Sequence, residues 1–598
     1  MFEPSPRAGV IGDFICAFGP QAAHAVGAPD GFALSGAADL CIASRGAVRH
    51  SQVGANHWLA LADLVTGDCD DGVAALQAGT VPQAHWRGRF VQLVWNAARD
   101  RLVALSDHFS TLPLYVLEHG PNVLLATDLR LILASPLCSR AVDPLALYHY
   151  LNFAYVPAPL TICRGVQHLT PATRYAWHAG SGTTSRYWLP EYPQDLRGDD
   201  ATRASALREQ IVASVHDYRP GRAEGWGCFL SGGTDSSSIV SILASQDRAE
   251  TVRSFSIGFA EAGYDELGYA ELVARRVHAH PYTAQVGRDD SMHLLQQVVD
   301  GWDQPFGDAS AVPTLACAAL AAQHGIDMLL AGDGGDEIFG GNERYAKDQV
   351  MERFHRLPAP LKAVARGIGR LAGRSSSRFL NRIDNFTRRA SLPNPDRFYT
   401  DDSFGSDDYD SLLSADFRAQ VPRDTSLEFM RGIYALGDAA DPLHRIMRLD
   451  LQMAIAQNDL VKVQGACRAH GISVRYPYLD PRLVDWTGHL PADCKVRGTH
   501  KRYLFKQAMA GILPAEVLRK KKQGFGLPVA VWLRSDAAFG RYVREVLFDA
   551  RTQSRGLFQR ACVERLLAEH ERGSWDHSRG IWQLVVLELW LRRHLDVA

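Results

Sequence analysis

Two glycine-rich turns carry the residues of this chain that are best suited to phosphate chemistry. In the first, GCFLSGGTDSS (227–237), an apolar run ends at Leu230 and a segment with helical spacing follows. A strand, a tight loop and a helix N-terminus would direct backbone N–H groups and the positive end of the helix dipole at an anion. The glycines would let the backbone approach phosphate oxygens closely, and the hydroxyl groups would add hydrogen-bond donors. These residues are Ser231, Gly232, Gly233, Thr234 and Ser236.

Acidic residues accompany both turns. Asp235 suits an anion site when a divalent cation lies between its carboxylate and the phosphates. In the second turn, DMLLAGDGGDEIFGG (327–341), a buried strand ends in a loop with the acids Asp333, Asp336 and Glu337. Carboxylates packed this closely repel one another unless a cation or a cationic substrate neutralises them. A solvated acidic turn is the alternative interpretation.

The composition is that of an ordinary soluble globular protein. The 598 residues are 46% hydrophobic and 22% charged with a formal net charge of -2, which predicts two to four domains. Neither global basicity for nucleic acid nor an apolar run of membrane-spanning length is present in the sequence. Ten cysteines without a CxxC pair and an N-terminus unlike a signal peptide predict a cytoplasmic location with reduced thiols.

The pattern of elements changes near residue 200. Residues 1–190 contain short strands with turn signals, including hairpins at 96–100 and 119–122. Residues 200–598 alternate helices with apolar strands, which is typical of a parallel α/β sheet. The polar stretch SGTTSRYWLPEYPQDLRGDD marks the boundary.

The string SGGTDSS resembles the pyrophosphate-binding loop of ATP pyrophosphatases, and the whole chain resembles the asparagine synthetase B superfamily. The resemblance implies an N-terminal αββα domain of the Ntn-hydrolase glutaminase type at 1–190. It implies a C-terminal ATP pyrophosphatase domain, similar to adenine nucleotide alpha-hydrolases, with helical additions at 200–598. The implied reaction is ATP-dependent amide formation through an acyl-adenylate, with ATP and Mg²⁺ as cofactors and AMP and pyrophosphate as products.

The same resemblance assigns roles to individual residues. The implied metal ligands are Asp235 and Asp336, and the implied catalytic residues are Asp333 and Lys522, the latter in the loop RKKKQGF. A lysine there would stabilise the negative charge that develops as an amine attacks the adenylate. Ile257 would hold adenine, although a core strand residue would look the same. The implied nucleotide-binding set is Leu230, Ser231, Gly232, Gly233, Asp235, Ser236, Ile257 and Gly332.

The sequence departs from the family pattern on the side of the nitrogen donor. The glutaminase domain of the family uses an N-terminal cysteine nucleophile, whereas residue 2 here is Phe and the matching motif position is Ala8. Cys16 and Cys41 are predicted to be buried structural cysteines. Asp333 stands where asparagine synthetases carry Glu and β-lactam synthetases carry Tyr. We therefore expect that this chain does not make ammonia from glutamine.

These departures favour a lasso-peptide cyclase, a macrolactam synthetase that joins an Asp or Glu side chain to the peptide's own N-terminal amine. The expected partners are a leader-free core peptide and a leader peptidase, without nucleic acid or membrane. The basic helical insert at 350–400 is interpreted as a solvated surface able to face a peptide. Alternatives are an asparagine synthetase that uses ammonia, a cyclase of small molecules like the β-lactam synthetases, and a non-catalytic scaffold.

Overall fold

The computed structural model describes residues 12–26, 30–37, 39–66, 86–246, 252–259, 267–287, 291–372, 378–520 and 529–596. Alanine 8, Lys521 and Lys522 lie outside these ranges, so the predicted roles of the nucleophile position and of the catalytic lysine stay predictions.

The N-terminal part is a sandwich of two antiparallel sheets. Its strands are β1 Asp13–Phe18, β2 Ala33–Ala37, β3 Leu40–Arg45, β4 Val48–Val53, β5 Asn56–Thr66, β6 Arg87–Asn96, β7 Arg101–Ser106, β8 Tyr115–His119, β9 Asn122–Ala126, β10 Val166–His168, β11 Thr173–His178 and β12 Ser181–Arg186. The sheet orders are β10-β8-β9-β1-β3-β2 and β12-β11-β7-β6-β5-β4. Alternate side chains of facing strands, among them Phe14, Cys16, Trp95 and Trp177, fill the space between the sheets.

Both predicted hairpins of the sandwich are present. Strands β6 and β7 pair around a single 3₁₀ turn, where the Asn96 side chain accepts a hydrogen bond from Arg99 N–H. Asp100 completes the turn in the left-handed region at φ 48°, a conformation that Asp tolerates better than most residues. Strands β8 and β9 pair from Tyr115–Ala126 to His119–Asn122.

The C-terminal part is built on a parallel sheet, as the alternation of helices and strands predicts. Its five strands are β13 Trp226–Phe229, β14 Arg253–Phe259, β15 His280–Val286, β16 Met328–Leu330 and β17 Ser473–Arg475, in the order β15-β14-β13-β16-β17. A small hairpin follows, β18 Val496–Arg497 with β19 His500–Lys501. Because β13 and β16 are parallel neighbours, the loops that follow them meet at one edge.

Helices cover the parallel sheet and extend beyond it. In chain order they are α1 Ala22–Ala25, α2 Leu129–Leu133, α3 Pro144–Phe153, α4 Asp200–Tyr218, α5 Thr234–Gln246, α6 Leu267–Arg276, α7 Ser291–Gly301, α8 Ala311–Gln323, α9 Gly335–Phe339, α10 Glu343–His355, α11 Ala359–Ala372, α12 Arg378–Ala390, α13 Asp396–Tyr399, α14 Phe404–Asp407, α15 Tyr409–Leu412, α16 Ala415–Arg418, α17 Thr425–Tyr434, α18 Pro442–Asp450, α19 Leu460–Ala469, α20 Pro481–Gly488, α21 Ala492–Lys495, α22 Tyr503–Ala508, α23 Ala515–Arg519, α24 Val529–Ser535, α25 Ala537–Phe548, α26 Ala550–Ser554, α27 Arg560–Glu571 and α28 Ser578–His594. A π-helical segment, Leu451–Asp459, joins α18 to α19. Within the described ranges, none of the helices combines the length and apolarity needed to cross a membrane.

The two parts share one continuous apolar core and several ion pairs. Arg87 of β6 donates to both carboxylate oxygens of Asp480, with Nε–Oδ1 and Nη2–Oδ2 distances of 3.0 and 2.5 Å. Arg475 makes a similar forked pair with Asp63 of β5. The core includes Leu147 of α3 in the N-terminal part and Ile239 of α5 in the C-terminal part. The N-terminal sandwich is therefore anchored on the parallel sheet.

Candidate active site

The first glycine-rich turn is a strand–loop–helix unit, as its sequence predicts. Strand β13 ends at Phe229, and α5 begins at Thr234. Gly232 has φ +69°, and a Cβ atom there would lie 2.6 Å from Cβ of Tyr269, so only glycine fits. Ser231 organises the loop, because its hydroxyl accepts from Gly233 N–H at 3.3 Å and lies 3.2 Å from Oγ of Ser236. The α5 N-terminus forms the end of this loop, where helix N–H groups favour an anion.

The second glycine-rich turn packs directly against the first. Gly332 follows β16, and a Cβ atom placed on it would lie 2.9 Å from the backbone N of Ser236 and 3.0 Å from Cβ of Asp235. Gly334, at φ +91°, precedes the short helix α9 that carries Asp336. The absence of a side chain on Gly332 thus lets the two loops touch, whereas a Cβ atom on Gly334 would meet Leu479. The structure therefore brings together the two turns that sequence analysis singled out.

Arg502 lies between the two predicted magnesium ligands. Its Nη1 and Nη2 donate to Oδ1 and Oδ2 of Asp235 at 2.5 Å each, and Nη2 also donates to Oδ1 of Asp336. The Arg502 side chain is 7% exposed, and although burial alone would lower its pKa, the two carboxylates raise it above the usual range. The guanidinium therefore supplies counter-charge to this acidic pair.

The acidic pair fits Mg²⁺ by donor chemistry, since both side chains offer the carboxylate oxygens that the ion prefers. Asp235 and Asp336 would hold the ion, which when bound would neutralise charge on the phosphates of ATP. Among the described residues, His, Cys, Asp and Glu form no group of three or more that could hold a metal. A magnesium ion here would therefore complete its shell with phosphate and water oxygens.

Arg502 was missed by sequence analysis, although a signal for it exists. It lies 267 residues from Asp235 and immediately precedes α22, next to Lys501. Cations at a helix N-terminus oppose the helix dipole, so their presence there indicates another partner. Arg502 also adopts φ +53°, which is uncommon for a residue with a side chain.

Asp333 belongs to a second group of charged side chains, in which carboxylates outnumber the cation. Burial first, and then the nearby charge of Asp459, raise the pKa of Asp333 to about 7, while the ammonium of Lys462 opposes the shift. Lys462 donates to Oδ1 of Asp459 at 2.6 Å. Burial opposes ionisation of Asp308 as well, but the charge of Lys462 and two hydrogen bonds from Ser310 lower the pKa of Asp308.

The π-helical segment positions this acidic group. It ends at Asp459, one turn before Lys462, and Asn458 donates to Oδ2 of Asp308 at 3.2 Å. π-Helical turns are rare and occur often at functional sites. The carboxylates of Asp308, Asp333 and Asp459 thus all act on the ammonium of Lys462.

A cavity of about 530 Å³ connects the two groups. Ile257 lines it from β14 and is also part of the hydrophobic core, so both sequence interpretations of this residue describe its position. Lys520 extends Nζ to 3.5 Å from the carbonyl oxygen of Gly232 and 4.4 Å from the ring centre of Tyr269. Of the residues predicted to bind nucleotide or to catalyse, the cavity is lined by Leu230, Ser231, Gly233, Asp235, Ser236, Ile257, Gly332, Asp333 and Asp336.

Cys16 and Cys41 are the two cysteines that the sequence predicts to be buried and structural. Cys16 is fully buried in β1, where burial raises its thiol pKa and its Sγ lies 3.6 Å from the carbonyl oxygen of Leu125. Cys41 is partly buried, and burial raises its pKa as well. A thiol with a raised pKa is a poor nucleophile, which agrees with structural roles for both.

Comparison with known families now decides the broader assignment. The model of the asparagine synthase family matches residues 206–592. The chain belongs to this family. A glutamine amidotransferase domain model matches residues 71–188, which confirms the expected fold class of an Ntn-type domain followed by the asparagine synthase domain. The chain is thus an ATP-dependent ligase of the asparagine synthetase type.

Several relatives align with most of this chain. A protein from Mycobacterium tuberculosis (strain H37Rv) described as a putative asparagine synthetase (glutamine-hydrolyzing) is 29% identical over 533 residues, covering 87% of this chain and 79% of the relative. Asparagine synthetase (glutamine-hydrolyzing) 1 of Bacillus subtilis (strain 168) is 24% identical over 505 residues, covering 84% and 77%. The amidase chry2 of Gibberella zeae is 22% identical over 492 residues, covering 75% and 71%. At these identities the acceptor is not fixed by similarity.

Proposed function

We propose that this ligase closes a macrolactam ring in a peptide, joining an Asp or Glu side chain to the N-terminal amine of the same molecule. The observation that carries the proposal is the acidic group around Lys462. With Asp308, Asp333 and Asp459 facing one ammonium, the acceptor side carries excess negative charge. Such a surface attracts an amine in its protonated form and repels the free α-carboxylate of a small amino acid.

The reaction has two steps. An oxygen of the peptide carboxylate attacks the α-phosphorus of ATP, the bond to the bridging oxygen breaks, and pyrophosphate leaves. The amine nitrogen then attacks the acyl carbon and AMP leaves with the carboxylate oxygen. Lys520 and Arg502 place positive charge beside the phosphate loop, and Mg²⁺ held by Asp235 and Asp336 would neutralise charge on the leaving pyrophosphate.

Asp333 is the residue that would receive the proton of the attacking amine. A carboxylate with a pKa of about 7 is ionised in a large fraction of molecules at neutral pH and is basic enough to hold the proton in the transition state. Its place beside the cavity between the phosphate loop and Lys462 is consistent with that role. The departure from the family's Glu and Tyr at this position also agrees with a changed acceptor.

A second argument for a substrate that contains its own amine comes from the N-terminal domain. The sequence places Ala8 where the family carries its cysteine nucleophile, and Cys16 is buried between the two sheets. The range matched by the amidotransferase model does not include Ala8. An amine within the substrate removes the need for ammonia and raises its effective concentration at the adenylate.

The test uses synthetic peptides that have a free N-terminal amine and one Asp or Glu side chain, incubated with ATP and MgCl₂. We expect AMP and a product lighter by one water. The same peptide with an acetylated N-terminus should support ATP–pyrophosphate exchange without loss of water, and the matched Asn or Gln peptide should support neither. Unchanged peptide mass across a panel of ring sizes, together with exchange by aspartate, would contradict the proposal.

Asparagine synthesis from ammonia is the second candidate, favoured by relatives that bear the name asparagine synthetase and cover most of the chain. It requires that free aspartate bind beside the acidic group. Release of AMP and asparagine from ATP, aspartate and ammonium chloride without any peptide would establish this activity instead.

A further inference from the structure

The segment that joins α10 to α11 and the first turns of α11 present apolar side chains to solvent. Leu361 is 56% and Val364 is 63% exposed, and Leu357, in the linking segment, is also exposed. At 100° per residue, Leu361 and Val364 lie on one side of α11 and form a short stripe with Leu357 near its start. Helix α11 packs against α12, and within the described part of the chain nothing covers this stripe. An exposed apolar stripe on an amphipathic helix is typical of an interaction surface.

The same segment is the most basic part of the chain. Residues 353–389 contain ten Lys and Arg residues and one acidic residue, Asp384, whereas the whole chain has 64 basic and 66 acidic residues. Arg353, Arg356 and Arg366 are exposed. Lys362 and Arg366 are four residues apart and lie on the side of α11 next to the stripe. Arg366 is exposed, and Lys362 is half-buried with its Nζ donating to the carbonyl oxygen of His355 at 2.8 Å. Any partner of this surface must therefore accept both apolar contact and positive charge.

We propose that this surface, defined by Leu357, Leu361, Val364, Lys362 and Arg366, binds an anionic phospholipid membrane peripherally. The outside of a helix is convex, and a convex apolar stripe buries most area against a soft, flat surface. Basic residues beside an apolar stripe are the arrangement by which helices lie in the headgroup region, with cations at the lipid phosphates. The sequence prediction that no membrane is involved rests on the lack of an apolar run of spanning length. A peripheral contact does not require such a run.

This binding goes beyond the ligation reaction and does not depend on it. Helix α11 lies outside the set of residues that line the catalytic cavity, so its substitution should leave adenylation intact. The purified full-length protein is sufficient for the test.

The experiment is flotation of the protein with vesicles of equal parts phosphatidylglycerol and phosphatidylcholine, compared with phosphatidylcholine alone. We expect binding to the anionic vesicles and its loss at 1 M salt, where the screening length falls to about 3 Å. The pair L361S and V364S should lower the bound fraction about fivefold or more, and the pair K362Q and R366Q should do the same. ATP–pyrophosphate exchange or far-UV circular dichroism verifies that each variant is folded.

Matched controls are available on other surfaces. Leu34 is as exposed as Leu361, and Arg275 is an exposed cation of α6, so L34S and R275Q should bind vesicles like the parent protein. Equal binding by the α11 variants and these controls would overturn the proposal. Binding to soluble polyglutamate without binding to vesicles would also overturn it and assign the surface to an acidic peptide.

Discussion

The guanidinium of Arg502 donates two parallel hydrogen bonds of 2.5 Å to the two carboxylate oxygens of Asp235. Forked pairs of this kind combine charge with fixed geometry. The acid of the phosphate loop is thus oriented by the protein itself. A metal ion and the phosphates of ATP would then bind beside an acid that is already in place, which would lower the cost of organising the site.

Replacing Arg502 tests this arrangement. We expect R502Q to reduce ATP–pyrophosphate exchange roughly 100-fold, because Asp235 and Asp336 would then repel each other and lose their orientation. R502K should recover only part of the activity, since an ammonium cannot form the fork. Arg497, which pairs with Asp200, provides the control R497K, for which exchange should be unchanged. Full exchange by R502Q would show that the pair is not needed for adenylation.

A second prediction concerns Asp333 and pH. Since its pKa is about 7, the rate of amide formation in a single turnover should rise with pH to a plateau above 7. D459N removes a negative charge that raises this pKa, so the rising limb should move to lower pH. D333N should abolish the limb while adenylation persists. If the rising limb of D459N lies at the same pH as that of the parent protein, a group other than Asp333 is titrating.

The same group makes stability depend on pH with a defined sign. The native state holds a proton on Asp333 between its usual pKa of 3.8 and about 7, whereas the unfolded state has released it. The contribution of Asp333 to stability is therefore complete below 3.8 and is lost as pH rises to 7. As pH rises over this range, the urea midpoint of D333N should increase relative to the midpoint of the parent protein. A constant difference would mean that Asp333 titrates normally.

Local patterns predicted the parts of the site that depend on neighbours in sequence. The apolar run before Ser231 and the glycines after it specified a strand–loop–helix unit, and parallel strand neighbours explain why Asp235 and Asp336 meet. The partners Arg502 and Lys462 come from α22 and α19, which reach the site only through tertiary packing. No spacing rule connects residues 267 positions apart. The sequence indicated the acids of the second turn, whereas the meeting of Asp333 with Asp459 and Lys462 was visible only in the structure.

The contact between the two glycine-rich turns yields a fourth prediction. G332A would place a Cβ atom 2.9 Å from the Ser236 backbone N, so one loop must move and the KM for ATP should rise on the order of tenfold to 100-fold. Gly432 lies in α17, and a Cβ atom there would meet nothing within 4 Å. G432A should keep the parent KM and gain about 0.5–1 kcal/mol of stability. Equal KM values for both variants would show that the loops tolerate separation.

Asp480 lies where the sandwich meets the parallel-sheet part, and it is not among the described residues that line the candidate cavity. Its side chain is 1% exposed and accepts two hydrogen bonds from Arg87, which links the sandwich to the parallel sheet. It also accepts from Arg482 N–H at the start of α20, a capping bond that Asn can replace. The substitution D480N therefore removes the negative charge but keeps the capping bond. Arg87 should stay buried, with a weaker hydrogen-bond partner at position 480.

We expect D480N to lower the free energy of unfolding by about 3 kcal/mol, measured by urea titration with tryptophan fluorescence. Asp217 bonds the same Arg87 at 3.0 Å but is 39% exposed, so D217N should cost less than about 1 kcal/mol. Both variants should retain ATP–pyrophosphate exchange at a temperature where they are folded. If the two variants lose equal stability, the buried fork is not what anchors the sandwich, and if D480N loses exchange while folded, Asp480 acts on the site directly.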